Sequence, residues 1–329
     1  MENSLHITNL RSGGIICNYY CSSKCAHCLY GCSPGWKKEF IQEDVLKNVT
    51  KKILAMGCRS VHIGGGEPLL KPLALKTVLK TTRAMGLGID YVETNSSWFR
   101  TEEEAVSMLL SLKEHGLNSL LLSISPFHNE FIPLKKVKGV MRACQKAGVA
   151  IFPWISDFLP EIEKFDDNVC HTLNEYEELY GQSYLKKIPS RYWIHFGGRA
   201  LNTFSNYFPG FDYEEIIANN PDPCMELSDT NHFHFDLFGG YIPGLCAGLS
   251  INYHDLGKPI AYEKYPIIAT LFLSGINGLF KMAIKKSGFK TQKKFISKCH
   301  LCLEIRSFLA LKNKSDFPEL RPENFYENL

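Results

Sequence analysis

Several absences narrow the class of this chain. Its 329 residues open on Met-Glu-Asn-Ser-Leu-His, without the basic segment and apolar run of a secretion signal. An exported protein held by a disulfide framework is therefore not expected, and a cytoplasmic one is. No apolar run reaches the roughly 20 residues needed to span a bilayer. The longest, 265–280, contains Ser274, Gly275, Asn277 and Gly278, and reads as a buried or interface helix with no membrane partner. A large excess of one charge sign is lacking too. Lys and Arg number 37 against 34 Asp and Glu, so the net charge of +3 requires no polyanionic partner. Apolar content of 45% and charged content of 22% suit a globular protein of one large or two ordinary domains.

Cysteine is what the chain has in quantity: twelve residues. In a reducing compartment such thiols serve metals or chemistry. Cys21, Cys25 and Cys28 fall within eight residues, just after the apolar run 13–17. One short loop can bring three such sulfurs to a point with little chain to order. Thiolate suits zinc or an iron–sulfur cluster, and three ligands would leave a four-iron cluster with one open iron. A structural zinc site drawing a fourth ligand from Cys17, Cys32 or His27 also fits the loop.

From residue 13 to about 198 one rhythm repeats. Short β-rich runs at 13–19, 60–64, 89–94, 119–125, 149–155 and 191–196 are mostly continuous rather than alternating, as in strands covered on both faces. Helical segments at 41–56, 72–86, 101–115 and 132–147 separate them, three ending at Gly57, Gly86 and Gly148. Thr101-Glu-Glu-Glu104 is a capping-box pattern, and Gly116 closes that segment. Strands alternating with helices predict a parallel α/β sheet, open or a partial barrel, with chemistry at the carboxyl ends of the strands. The three-Cys loop follows the first strand, and Gly64-Gly65-Gly66-Glu67-Pro68 follows the second. Glycines there let backbone approach a ligand, and Glu67 offers a carboxylate. Polar clusters close the third strand (Glu93, Thr94, Asn95) and the fourth (Ser123, Ser125); they fit ligand contacts and ordinary cap chemistry equally.

CxxxCxxC after the first strand and GGGEP after the second resemble the radical SAM superfamily over residues 10–200. The resemblance implies a partial (β/α)6 barrel with a 4Fe-4S cluster on Cys21, Cys25 and Cys28. It implies S-adenosylmethionine on the open iron, with Gly65, Gly66 and Glu67 near its methionine amine and Gly64 among the cofactor-binding residues. His27 stands where the family usually has an aromatic beside adenine, a departure, and Thr94, Asn95, Ser123 and Ser125 become ribose and carboxylate contacts. Reductive cleavage to a 5′-deoxyadenosyl radical would then abstract a substrate hydrogen.

Beyond a loop-like stretch at 202–222 the rhythm changes, which divides the chain into 1–205 and 206–329. Residues 231–246 read as two strands around Gly239-Gly240, a hairpin. Cys224, Cys246, Cys299 and Cys302 form a C-x21-C-x52-C-x2-C set, similar to the twitch or SPASM extensions of that superfamily. The likeness implies a second, auxiliary 4Fe-4S cluster, fully ligated, as electron acceptor or donor in a hairpin-plus-helix extension. Arg199, His128 and Glu93 are the candidate catalytic or substrate contacts. Cys17, Cys32, Cys58, Cys144 and Cys170 read as non-ligands, mostly core thiols. Seven Lys and no acid fill 281–298; a solvated face or compensation for a cluster fits them, and nucleic acid is not expected. The expected partners are a small-molecule or peptide substrate and an electron donor such as flavodoxin or ferredoxin. A glycyl-radical activase would leave the last four Cys unexplained. A zinc-stapled module binding RNA or protein is the reading from another class.

Overall fold

The computed structural model describes residues 4–154, 156–192, 194–312 and 316–329. Five of the apolar runs are strands: β1 (Gly13–Ile16), β2 (Ser60–Gly64), β3 (Gly88–Thr94), β4 (Ser119–Ser123) and β5 (Ala150–Trp154). All pair in parallel, in the order β5-β4-β3-β2-β1. Helices α1 (Glu43–Ala55), α2 (Pro72–Ala84), α3 (Glu102–Lys113) and α4 (Leu134–Ala147) follow the strands in turn. Each buries an apolar stripe, as Leu46, Val49 and Ile53 do on α1. Thr101 Oγ1 accepts from the Glu104 N–H at 3.3 Å to start α3, and Gly148 at φ 62° ends α4. The result is an α/β fold with an open, partial-barrel sheet.

The sixth strand is not where the sequence places it. Among the described residues of 191–196, Arg191 ends the helix Tyr184–Arg191 and the rest is irregular; Trp193, like Ile155, lies outside the described residues. The β-rich composition is overridden by tethers to the cysteine loop. Arg199 N–H donates to the Cys28 carbonyl (3.1 Å) and Thr203 Oγ1 to the Ala26 carbonyl (2.7 Å), tying the segment to that loop.

The missing strand is supplied from the far side. β6 (Phe233–Asp236) pairs in parallel with β1, and β7 (Gly240–Ile242) and β8 (Ile251–Asn252) continue the sheet antiparallel. The hairpin at Gly239-Gly240 is present, with Asp236 Oδ1 accepting from the N–H groups of Phe238 (3.0 Å) and Gly240 (2.8 Å). One eight-stranded sheet thus crosses the division expected at 205.

The apolar run 265–280 begins α5 (Pro266–Ser287), which packs against α6 (Lys298–Lys312). By length and composition α5 could cross a membrane, yet 56% of its most apolar window is buried inside the protein. Glu319, itself buried, accepts from the Ile267 N–H at 2.6 Å and so satisfies a free donor in the first turn. Glu319→Ala is expected to lower stability by about 1 kcal/mol, read from urea unfolding, the usual cost of an emptied helix start; an unchanged midpoint would show the bond to be inconsequential.

Candidate active site

Alternation along parallel strands puts every second side chain on one face, and here that face encloses a cavity of about 380 Å³. Ile16, His62, Gly64, Tyr91, Glu93, Leu121, Ser123, Phe152, Trp154 and His234 line it from six strands. The cysteine loop caps the carboxyl ends. Cys21, Cys25 and Cys28 all reach the cavity, with Cys21 and Cys25 buried and Cys28 half-buried. Cys21 Sγ accepts from the Ser23 N–H and from Asn95 Nδ2, each at 3.4 Å.

Burial pushes the Cys21 thiol up to about 12 and Cys25 in the same direction. Cys28 is lowered to about 6, first by a hydrogen bond with Cys32, whose own thiol is raised by that bond and by burial. A soft metal seated here would displace protons from the thiols it takes.

Arg199 does not line the cavity. Its buried guanidinium donates to three backbone carbonyls: Cys25 (2.9 Å), Cys32 (2.7 Å) and Asn328 (2.8 Å). It fixes the loop's shape instead, a use that strand-end position alone did not reveal. Glu67 departs from expectation as well. Its carboxylate is fully buried and accepts from Leu69 N–H (3.0 Å), Thr94 Oγ1 (2.9 Å) and Asn95 N–H (2.6 Å). It splices the turn after β2 to the end of β3 rather than facing the cavity. Desolvation raises it to about 7, with those three bonds pulling the other way.

Gly64, Gly65 and Gly66 do line the cavity. Gly66 N–H donates to the Asn18 carbonyl at 2.8 Å, and a Cβ on Gly66 would stand 2.0 Å from the Tyr20 carbonyl oxygen. Only glycine lets this turn lie so close to the strand that leads into the cysteine loop.

Thr94 and Asn95 reach the cavity, although Thr94 Oγ1 also accepts from Trp98 Nε1 (2.9 Å). Ser123 lines it, whereas Ser125 is buried against His128, Oγ to Nδ1 at 2.7 Å. His128 faces the cavity and is lowered to about 4 by desolvation. His27 stacks on Phe127 at 4.6 Å, and its buried Nδ1 has no partner. Glu93 is raised to about 7 by desolvation, then by the Cys28 and Glu67 charges.

Among the cavity residues that the sequence did not single out are Tyr30, His62, His232 and His234. A signal was there. His62 interrupts an apolar parallel strand, and His232-Phe-His234 alternates on another.

The C-terminal thiols gather at three turns. Cys224 precedes the turn Met225–Ser228, Cys246 follows Pro243–Leu245, and Cys299 and Cys302 open α6. Burial raises the Cys224 thiol strongly, Cys246 to about 12 and Cys299 to about 11, and each is raised further by fields from others of the set. Arg306 lies beside them, buried, bonded to the Ala247 carbonyl (2.8 Å), with its Nε unpartnered. Of the thiols expected to be non-ligands and mostly core, Cys17, Cys32, Cys58 and Cys144 are buried and Cys170 is exposed. In the 281–298 run, Lys293 pairs with Glu304 (2.7 Å), Lys298 with Glu226 (2.5 Å), and Lys286 lies over Phe317.

Residues 15–160 match the family model described as the Radical SAM superfamily. A GTP 3′,8-cyclase of Tolumonas auensis is 27% identical over 139 residues, covering 39% of this chain. The match spans about two fifths of that relative's length (39%). Among solved structures, anSMEcpe with bound AdoMet aligns over 97% of this chain and 95% of its own, at 15% identity and TM-score 0.45. Methylornithine synthase aligns over 44% of each chain, at 18% identity and TM-score 0.35. Enzymes of this superfamily use a 4Fe-4S cluster and S-adenosylmethionine.

Arg199→Lys, which keeps the charge and loses the planar fork, is expected to cost about 3 kcal/mol in urea unfolding. A loss below about 1 kcal/mol, within the range of a single ordinary hydrogen bond, would refute the anchoring role.

Proposed function

We propose that this chain is a radical SAM enzyme with one auxiliary cluster, acting on a small molecule or a peptide side chain. The observation that carries it is the placement of Cys21, Cys25 and Cys28 at the mouth of a strand-lined cavity whose opposite lip is Gly64–Gly66. Those thiols would hold the first 4Fe-4S cluster. The glycine backbone, Thr94, Asn95 and Ser123 would seat S-adenosylmethionine, with His27 as a flat ring beside adenine. Its unpartnered Nδ1 is the kind of orphan a bound ligand satisfies.

When bound, these cofactors supply one-electron cleavage of the sulfonium to methionine and a 5′-deoxyadenosyl radical that takes a substrate hydrogen. The chain's part is to bind, orient and exclude water. Arg199 holds the loop; Phe127 backs the His27 ring; Phe152 and Trp154 supply apolar wall; His128 and Glu93 would present polar atoms to the substrate.

Residues 206–329 would carry the auxiliary cluster on Cys224, Cys246, Cys299 and Cys302, taking or giving an electron. The donor set fits it. The four thiols lie near one another, and the buried Arg306 guanidinium beside them would offset the charge of an anionic cluster. An activase leaves this set idle. Binding of RNA by the Lys run is disfavoured because Lys293 and Lys298 already pair with acids and Lys286 lies over a ring. An external donor such as flavodoxin or ferredoxin would reduce the first cluster.

Anaerobic reconstitution should give about eight irons per chain, four from each cluster. Cys21→Ala should abolish reductive formation of 5′-deoxyadenosine, and Cys299→Ala with Cys302→Ala should halve the iron and leave that cleavage intact. Zinc alone in the wild-type protein would sink the reading.

A further inference from the structure

The cavity holds a second set of metal-ligating groups that the cysteine chemistry does not use. Gly14 on β1 lies in register with His62 on one neighbour, β2, and with His234 on the other, β6. Because Gly14 has no side chain, the two imidazoles close over it. A Cβ there would stand 2.3 Å from His62 Nε2. His62 Nε2 and His234 Nε2 consequently meet at 3.0 Å. His232, two residues before His234 and on the same face of its segment, stacks on His62 with ring centres 5.3 Å apart. One ring nitrogen from each of the three falls within 4.8 Å of the others.

We propose that His62, His232 and His234 bind a divalent transition-metal ion, with one coordination position open to the cavity. Two nitrogens on a tetrahedral zinc at about 2.0–2.1 Å sit about 3.4 Å apart, so the observed 3.0 Å needs only a few tenths of an ångström of adjustment. As the protein stands, the facing Nε2 atoms of His62 and His234 share one proton between two lone pairs. A cation takes both lone pairs. Burial keeps the rings neutral, with His62 lowered to about 3 and His234 lowered in the same direction, which is the ligating form.

The outer contacts are those of a built site. Tyr30 Oη stands 2.9 Å from His234 Nδ1, and the Gly13 backbone bonds to the His62 ring, so each ligand is oriented through its far side. Glu93 Oε1 lies 3.7 Å from His62 Nε2 and brings a carboxylate to balance the ion's charge. Imidazole donors suit zinc, iron(II), cobalt or nickel, and three histidines leave a fourth position for an exogenous ligand. His62 lies two residues before Gly64 on the same strand face, so that position opens into the space below the cysteine loop. A carboxylate or amine of a cavity-sized substrate is the ligand chemistry it would accept.

The inference rests on the imidazole geometry and not on the cluster reading, and its test separates the two. Iron-loaded enzyme washed with EDTA is titrated anaerobically with cobalt(II). One further metal per chain is expected, with ligand-field bands of nitrogen-bound cobalt and no sulfur charge-transfer band. Tyr30→Phe should weaken cobalt binding roughly tenfold to a hundredfold, the usual effect of losing an outer partner. His62→Gln should abolish it, and the exposed His232→Ala, least able to disturb folding, should weaken it at unchanged iron content. Absence of the additional cobalt would overturn the proposal whatever the iron content. So would wild-type affinity in His232→Ala and His62→Gln, or cobalt bound through sulfur alone.

Discussion

The site depends on one buried guanidinium. Arg199 reaches the backbone at Cys25 and Cys32, inside and just beyond the three-thiol loop, and at Asn328, near the last residue of the chain. A loop with soft ligands has no helix or strand ladder to hold it, so its carbonyls need donors from elsewhere. Arg supplies several in one plane, each stronger than a neutral donor because it is charged. The same tether ties the segment around Arg199 to the cysteine loop, while the sheet is extended at the β1 edge by β6.

That extension shapes the cavity. With β6 beside β1, the inward residues of both edges of β1 face each other across a glycine, and two histidines meet. Had the sixth strand formed beside β5, as the sequence order alone implies, His234 would lie elsewhere and His62 would face an open edge. The cavity thus has a thiol-lined mouth and, two residues deeper along the strands, an imidazole-lined wall. The aromatic rings of Tyr91, Phe152 and Trp154 line another part of it. Glu67, buried under three donors, stiffens the glycine lip instead of contacting the space within.

Much of this was legible in the chain. Cys21, Cys25 and Cys28 are neighbours in sequence and so are neighbours in space whatever the fold. Gly66 announces a close approach because only glycine tolerates one. The strands at 60–64 and 119–123 show in apolar content, since strands buried on both faces must be apolar, and the helices show in their 3.6-residue stripe. The roles of Arg199 and Glu67 were not legible, because an ionisable group at a strand end looks the same whether it faces a ligand or backbone from a distant segment. The described residues of 191–196 are not a strand for a related reason: β propensity is weak and gives way to tertiary contacts.

By itself the sequence determined the local chemistry: a three-thiol loop, a glycine turn, and a βα rhythm that places both at one end of a parallel sheet. These follow from short-range spacing, which the backbone transmits without help from the fold. Tertiary structure alone decided which strand lies beside β1, and with it the meeting of His62 with His234, 172 residues apart. Pairing in a parallel sheet is chosen by the competition of distant segments for an open edge, and no local pattern records the winner.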